Sequence, residues 1–145
     1  MIRAAPLGTL ISSLLLAAAC AKPAPPAAEA PLDWAAVAGE RVPRLVTRDP
    51  DGAERVTKIW LAILDGEGYI RTSSSRWFAN IERDPDVVLR VGGRAHPLRV
   101  EHVNDPALEA RVHQAFRAKY GLEDRLVYLV RGDAVNVMRL VERGP

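Results

Sequence analysis

Residues 55–80 read RVTKIWLAILDGEGYIRTSSSRWFAN, and the rest of the fold can be built outward from them. Arg55 to Leu64 is rich in β-branched and aromatic residues, which predicts a largely buried strand. On a two-residue period Arg55, Thr57, Ile59 and Leu61 share one face, and Lys58, Trp60 and Ala62 the other. Asp65-Gly66-Glu67-Gly68 turns the chain. Tyr69 to Ser74 returns as a second strand. Ser75 is then placed to cap a short helix, Arg76 to Arg83, which must stop before Asp84-Pro85.

On the N-terminal side, Asp33 to Ala38 has the form of a short helix with Asp33 as cap and Gly39 as stop. Arg41 to Thr47 reads as a strand that Pro43 confines to a sheet edge. Asp49-Pro50-Asp51-Gly52 is a turn. On the C-terminal side, Asp86 to Val91 and Arg94 to Val103 are strands joined by Gly92-Gly93, a two-residue hairpin signal. Asp105-Pro106 opens the strongest helix, with Leu108, Val112, Ala115 and Phe116 on one stripe. Lys119 takes the next position on that stripe, its stem suited to lie over the apolar face, and Gly121 ends the helix after Tyr120. Arg125 to Arg131 and Ala134 to Glu142 read as two closing strands around Gly132-Asp133. The expected architecture is mainly β (α+β). It is a small antiparallel barrel of about six to seven strands with two peripheral helices, because the connections are too short for parallel crossovers.

The chain has 145 residues, 20 Lys+Arg against 18 Asp+Glu, 26% charged and 48% hydrophobic residues. That is the balance of one folded domain, without the basic excess of a nucleic-acid binder. A single Cys excludes an internal disulfide or a Cys-cluster metal site. Residues 1–19 have the form of a secretory signal: Arg3, an apolar stretch from Leu7 to Leu16, then Ala17-Ala18-Ala19. Leu16 to Cys20 resembles the bacterial lipobox, with Ala17 where Leu is usual, so Cys20 is the expected lipidation site and the membrane anchor. The alternative is an ordinary cleaved signal with an incidental Cys. Residues 21–31, AKPAPPAAEAP, read as a Pro/Ala tether, leaving the domain at 32–145 in the bacterial cell envelope, facing periplasm or exterior.

Arg71-Thr72-Ser73-Ser74-Ser75-Arg76 sets four hydroxyls between two guanidinium groups where a strand becomes a helix. Such a turn can gather donors around an anion. It can equally serve only to cap the helix. Trp60 and Trp77 suit either a flat wall for an aromatic ring or the core. His96, His102 and His113 lack ligand spacing. His96 reads as a strand-edge residue and His113 as a surface helix residue. Glu123-Asp124 reads as a solvated face. No nucleophile-elbow, zinc-protease or phosphate-loop motif is present.

The stretch from Arg55 to Val103, followed by DPALEARVHQAFRAKYG at 105–121, resembles the split β-barrel superfamily of flavin- and deazaflavin-binding proteins. Within it the chain is most similar to domain of unknown function 2255, beside the nitroreductase-like deazaflavin branch. The resemblance rests on the R-x-x-K-x-W strand, the Tyr-x-Arg strand with its Ser-rich turn, the R-W-x-x-N helix, the D-P-x-V-x-L-x-V-G-G-R hairpin and the A-F-R-A-K-Y-G helix end. It implies FMN or 8-hydroxy-5-deazaflavin as cofactor and an oxidoreductase activity. Arg55, Lys58, Arg71, Ser73, Ser74 and Arg76 are then expected to hold its anionic group, and Trp60, Trp77 and Asn80 its ring. It also implies a homodimer. Two departures stand out. Trp77 occupies the place of a phosphate-binding Lys, and the acidic loop 48–54 replaces a Gly-rich basic one. The alternative is a cofactor-free barrel that uses its groove or dimer surface to bind a ligand or partner.

Overall fold

The computed structural model describes residues 22–131 and 135–144; the signal segment, Cys20 and the turn expected at Gly132-Asp133 lie outside them. Seven strands of the described residues form one sheet: β1 (Arg44–Arg48), β2 (Glu54–Lys58), β3 (Ala62–Leu64), β4 (Glu67–Thr72), β5 (Asp86–Val91), β6 (Arg94–His102) and β7 (Asn136–Glu142). Their order is β2-β1-β5-β6-β7-β4-β3, and every pairing is antiparallel. Among the described residues three helices accompany them: α1 (Arg76–Arg83), α2 (Pro106–Tyr120) and α3 (Leu122–Arg131).

The two edge strands are consecutive in sequence. β2 and β3 are separated by Ile59, Trp60 and Leu61 alone. Four peptide steps reach at most about 14 Å, so the sheet must curl until its opposite edges approach at this corner. The edges are not hydrogen-bonded to one another, and the result is a barrel split along that seam.

This corrects the single strand expected over 55–64. The apolar run is continuous because Ile59 and Leu61 are both buried, not because the strand is. The corner's backbone groups find partners off the ladder, as buried amides must. Ile59 N donates to Pro43 O at 3.1 Å. Leu61 N donates to the Tyr120 hydroxyl at 2.9 Å, and that hydroxyl lies 2.7 Å from Arg41 O and 3.0 Å from Leu61 O.

Inside the curl the core is Leu45, Leu61, Ile70, Leu89, Leu98 and Met138. A second cluster, with Tyr69, Val112, Phe116 and Tyr120, sits under α2. Ser75 caps α1 by accepting from Phe78 N at 3.2 Å, and Asp105 caps α2 through Ala107 N at 2.9 Å, both as the sequence predicts. Gly92 and Gly93 have φ of 57° and 74°, the positive values a two-residue hairpin needs at both central positions.

Three further expectations fail. Arg125 to Arg131 is helical, as part of α3; β7 already pairs with β6 and β4, so no hairpin partner can lie beside it. β1 lies between β2 and β5, not at an edge, and Pro43 only precedes it. Residues 34–39 form successive turns instead of a helix, although Asp33 does accept from Ala35 N and Ala36 N at 3.0 and 3.3 Å. The indole of Trp34 from this segment lies against Gly68, where a Cβ would fall 2.3 Å from it. The tether is also held earlier than expected: Ala95 N donates to Pro26 O and Ala28 N to Ala95 O, each at 2.9 Å.

Candidate functional site

A cavity of about 580 Å³ opens at the split. Thr57, Lys58 and Trp60 line it from the end of β2 and the corner, and Arg71 to Ser75 with Trp77 from the end of β4 and the start of α1. Val127 of α3 and Val135 complete it. The volume is in the range of small-molecule sites.

Trp60 is half-buried and stacks on Tyr120, with centroids 4.4 Å apart and planes 8° from parallel. Tyr120 therefore closes the barrel corner with its hydroxyl and backs the cavity wall with its ring. Burial holds the Tyr120 phenol above the usual tyrosine range. Trp77 is half-buried as well and packs against the inner core. The hydroxyls divide their work. Ser75 caps α1, while the side chains of Ser73 and Ser74 at the cavity have no hydrogen-bond partner among the described residues. Lys58, exposed at the rim, also lacks one.

Arg71 is the most constrained group of the site. Its guanidinium forms an ion pair with Asp124 of α3, and the two side chains are only 6% and 1% exposed. Nη1 lies 3.1 Å from His113 Nδ1, and the guanidinium carbon sits 4.1 Å over the Phe116 ring. Burial, then the charges of Arg71 and Arg117, hold the His113 imidazole below the usual histidine range. Three sequence expectations are corrected here. Asp124 is not solvated but wholly buried, and His113 is not a plain surface residue but a neighbour of the buried pair. His96 lies inside the sheet on β6, nearly buried, and not at an edge.

Arg55, Arg76 and Asn80 line a different cavity of about 460 Å³, with Asp49, Asp51 and Arg83. Arg55 holds Asp49 through two bonds of 2.8 Å, and Asn80 Nδ2 donates to Asp49 Oδ1 at 2.8 Å and to Thr47 Oγ1 at 3.0 Å. These donors, Arg55 first, lower the Asp49 carboxyl to about 2. The network fastens α1 to the β1–β2 turn. So the sequence-derived set divides. Lys58, Trp60, Arg71, Ser73, Ser74 and Trp77 converge on the first cavity, while the guanidiniums of Arg55 and Arg76 do not join them.

Sequence reasoning did not single out Asp124, Tyr120 or Val127. The spacing of Leu122, Leu126, Leu129 and Val130 carried the missing signal, since it is helical and would have placed Asp124 on the opposite face and Val127 on its flank.

A seven-stranded antiparallel sheet, curled and split at a corner that opens a ligand-sized cavity, defines a small split β-barrel. The chain belongs to the family described as "Uncharacterized protein conserved in bacteria (DUF2255)", which it matches over residues 36–139. It is similar in fold to HutZ, the heme storage protein from Vibrio cholerae, with TM-score 0.60 and 16% identity over 77% of this chain and 88% of that one. A FAD-binding protein from Mesorhizobium loti gives TM-score 0.56 and 17% identity over 74% and 85%. A protein of Listeria innocua named for pyridoxamine 5′-phosphate oxidase gives TM-score 0.58 and 13% identity over 76% and 90%. At these identities the likeness is one of fold. No curated protein matches the chain.

Proposed function

We propose that this protein is an envelope-anchored flavin-type binding barrel, with the ring of FMN or 8-hydroxy-5-deazaflavin in the cavity at the split. The observation that carries the reading is the convergence of two half-buried indoles, unengaged hydroxyls and a lysine on one ligand-sized space. The ring end fits well. Trp60, held flat by Tyr120, and Trp77 offer aromatic surface. The anionic end falls to Lys58, Ser73 and Ser74, because Asp124 already meets the charge of Arg71. Solved relatives of this fold that bind FAD or store heme support a ligand site in such barrels.

A bound flavin would supply hydride or electron transfer, which makes an oxidoreductase the expected activity. The chain's own part is to bind and orient the ring. Among the described lining residues there is no carboxylate or imidazole to move a proton. Export and anchoring at Cys20 rest on the sequence of residues 1–20. Cys20→Ser should release the protein from the membrane fraction.

The same charge balance favours a second reading, a cofactor-free binding module for a neutral aromatic ligand. Titration of the full chain with FMN and with the deazaflavin, read by fluorescence or heat, separates the two. Saturable binding that Lys58→Ala weakens about tenfold or more, the scale of one charged hydrogen bond, supports the first reading. Arg76→Ala should leave that binding unchanged. Absence of saturable binding by either compound excludes the flavin site.

A further inference from the structure

One half of the sheet is left bare on its outer side. The side chains that alternate with the core residues Leu45, Ile70, Leu89, Leu98 and Met138 point outward. On β4 and β7 the outward Tyr69 and Val137 are buried with the apolar side of α2. On β2, β1, β5 and the first part of β6 the outward Arg44, Arg48, Val56, Lys58, Pro97 and Arg99 are exposed. The register sets this half in rows across the strands. Lys58, Arg44, Arg90 and Ala95 form one row, and Val56, Val46, Val88 and Pro97 the next.

Five cationic side chains and two carboxylates occupy this bare half, an excess above the +2 of the whole chain. Both carboxylates are already met: Asp86 by Arg99 at 2.9 Å, and Glu54 by Arg90 at 3.5 Å. Arg44 and Lys58 stand directly opposite each other, and among the described residues their side chains have no polar partner. Like charges so placed destabilise a sheet, and an anion brought to the face relieves them.

The tether joins the domain at the end of the cationic row. Pro26 and Ala28 bond to Ala95, which lies opposite Arg90. The chain from Cys20 to Pro26 reaches at most about 21 Å. Ala95 and Lys58 are three strand spacings apart, about 14 Å. A domain anchored at Cys20 therefore stays close to the bilayer, and the bare face begins where its tether ends. This step rests on the anchoring of Cys20 proposed above; the charge of the face does not.

We propose that this face lies on the anionic lipid headgroups of the membrane, with Arg44, Arg48 and Lys58 at the phosphates and Val56 in the interface. The valine row is bordered by Arg44 and Lys58 on one side and by Arg48 and Arg99 on the other. An apolar strip within a basic border is the pattern of a surface that rests on anionic lipid. Val56 is 46% exposed and supplies the apolar contact. A lipid chain and a basic patch together hold a protein far more firmly than either alone.

Fluorescence quenching on vesicles tests it. The full chain carries one thiol-linked fluorophore, placed by Val56→Cys on this face or by Ala118→Cys, which is exposed on α2. The vesicles hold a nitroxide-headgroup lipid in phosphatidylcholine, alone or with phosphatidylglycerol. With phosphatidylglycerol the Val56 probe should be quenched at least about threefold more than the Ala118 probe. High salt, or Arg44→Gln/Arg48→Gln shown to be folded by far-UV circular dichroism, should abolish that difference. Equal quenching at the two positions, or quenching at Val56 that ignores phosphatidylglycerol and salt, overturns the proposal. The anchor is read separately, by flotation with phosphatidylcholine alone. A chain that fails to float there lacks the anchor, and its face is then read by titration with phosphatidylglycerol vesicles in a Cys20→Ser background. Binding that the double variant weakens about tenfold or more supports the proposal, and absence of binding overturns it.

Discussion

Arg71 leaves β4 beside two aromatic rings and a run of hydroxyls, the surroundings of an anion-binding arginine. Its charge is nevertheless committed to Asp124, and His113 lies against its other flank. Neutral imidazole suits that place, since protonation sets a second positive charge beside the guanidinium. The sign follows from linkage. His113 titrates lower in the folded protein than in the unfolded chain, so its contribution is intact above the ordinary histidine pKa. It is lost as pH falls from about 6.5 toward the depressed folded value, because the unfolded state takes up the proton first. Relative to His113→Gln, the wild type should therefore lose melting temperature as pH falls through that window. The His113 ring resonance should titrate below the free-histidine range. A ring that titrates at or above 6.5 contradicts the account.

At the scale of elements, the buried Arg71–Asp124 ion pair ties α3 to the barrel. Removing one partner strands the other. Asp124→Ala should cost about 3–5 kcal/mol, and Arg71→Met by itself a similar amount. The double variant Arg71→Met/Asp124→Leu should recover most of that loss, because two buried charges are replaced by apolar groups of comparable size. Urea denaturation of the three variants measures the coupling, and additive losses would show that the pair is not the link. Hydrogen exchange should find α3 unprotected in Asp124→Ala while β5 and β6 remain protected. α3 is also the element the local sequence least reveals. Its Leu-, Val- and Tyr-rich run suits a strand by composition and a helix by period, and what decides is that β7 already has both neighbours. α1 is the contrary case. Ser75 caps it and Asp84-Pro85 stops it, so neighbouring residues settle its limits without tertiary help.

At the scale of the whole molecule, the Tyr120 hydroxyl joins the barrel's corner to the end of α2, beside the Lys119 amine, which donates to Leu61 O and Glu40 O. Tyr120, from the end of α2, meets Leu61 N, Leu61 O and Arg41 O where the sheet's two edges approach. Tyr120→Phe keeps the ring on Trp60 but leaves the buried Leu61 N–H unpaired, while Leu61 O keeps the bond from Lys119 Nζ, and it should cost about 1–3 kcal/mol in denaturant unfolding. A cost under about 0.5 kcal/mol would mean that the corner does not depend on that hydroxyl. Local pattern was enough for most elements. The two-residue turn at Gly92-Gly93, the caps of α1 and α2 and the alternation of β5 each depend on residues within a few positions of one another. Six of the nine residues expected at the site line one cavity, and within Arg71 to Trp77 the strand end and the Ser-rich turn bring their own side chains together, but Lys58 and Trp60 reach them only through the curl of the sheet. The break of 55–64 into two strands, the helical state of 122–131, the burial of Asp124 and the separation of Arg55 and Arg76 from the cavity could be decided only by the closed fold. Two of the deciding partners are far along the chain, Tyr120 for Leu61 and Asp124 for Arg71, and Arg55 is drawn aside by Asp49 only because the β1–β2 turn folds against α1. A run of apolar residues records that it is buried but not by what, and a charged residue does not record whether its partner is water or a guanidinium from another element.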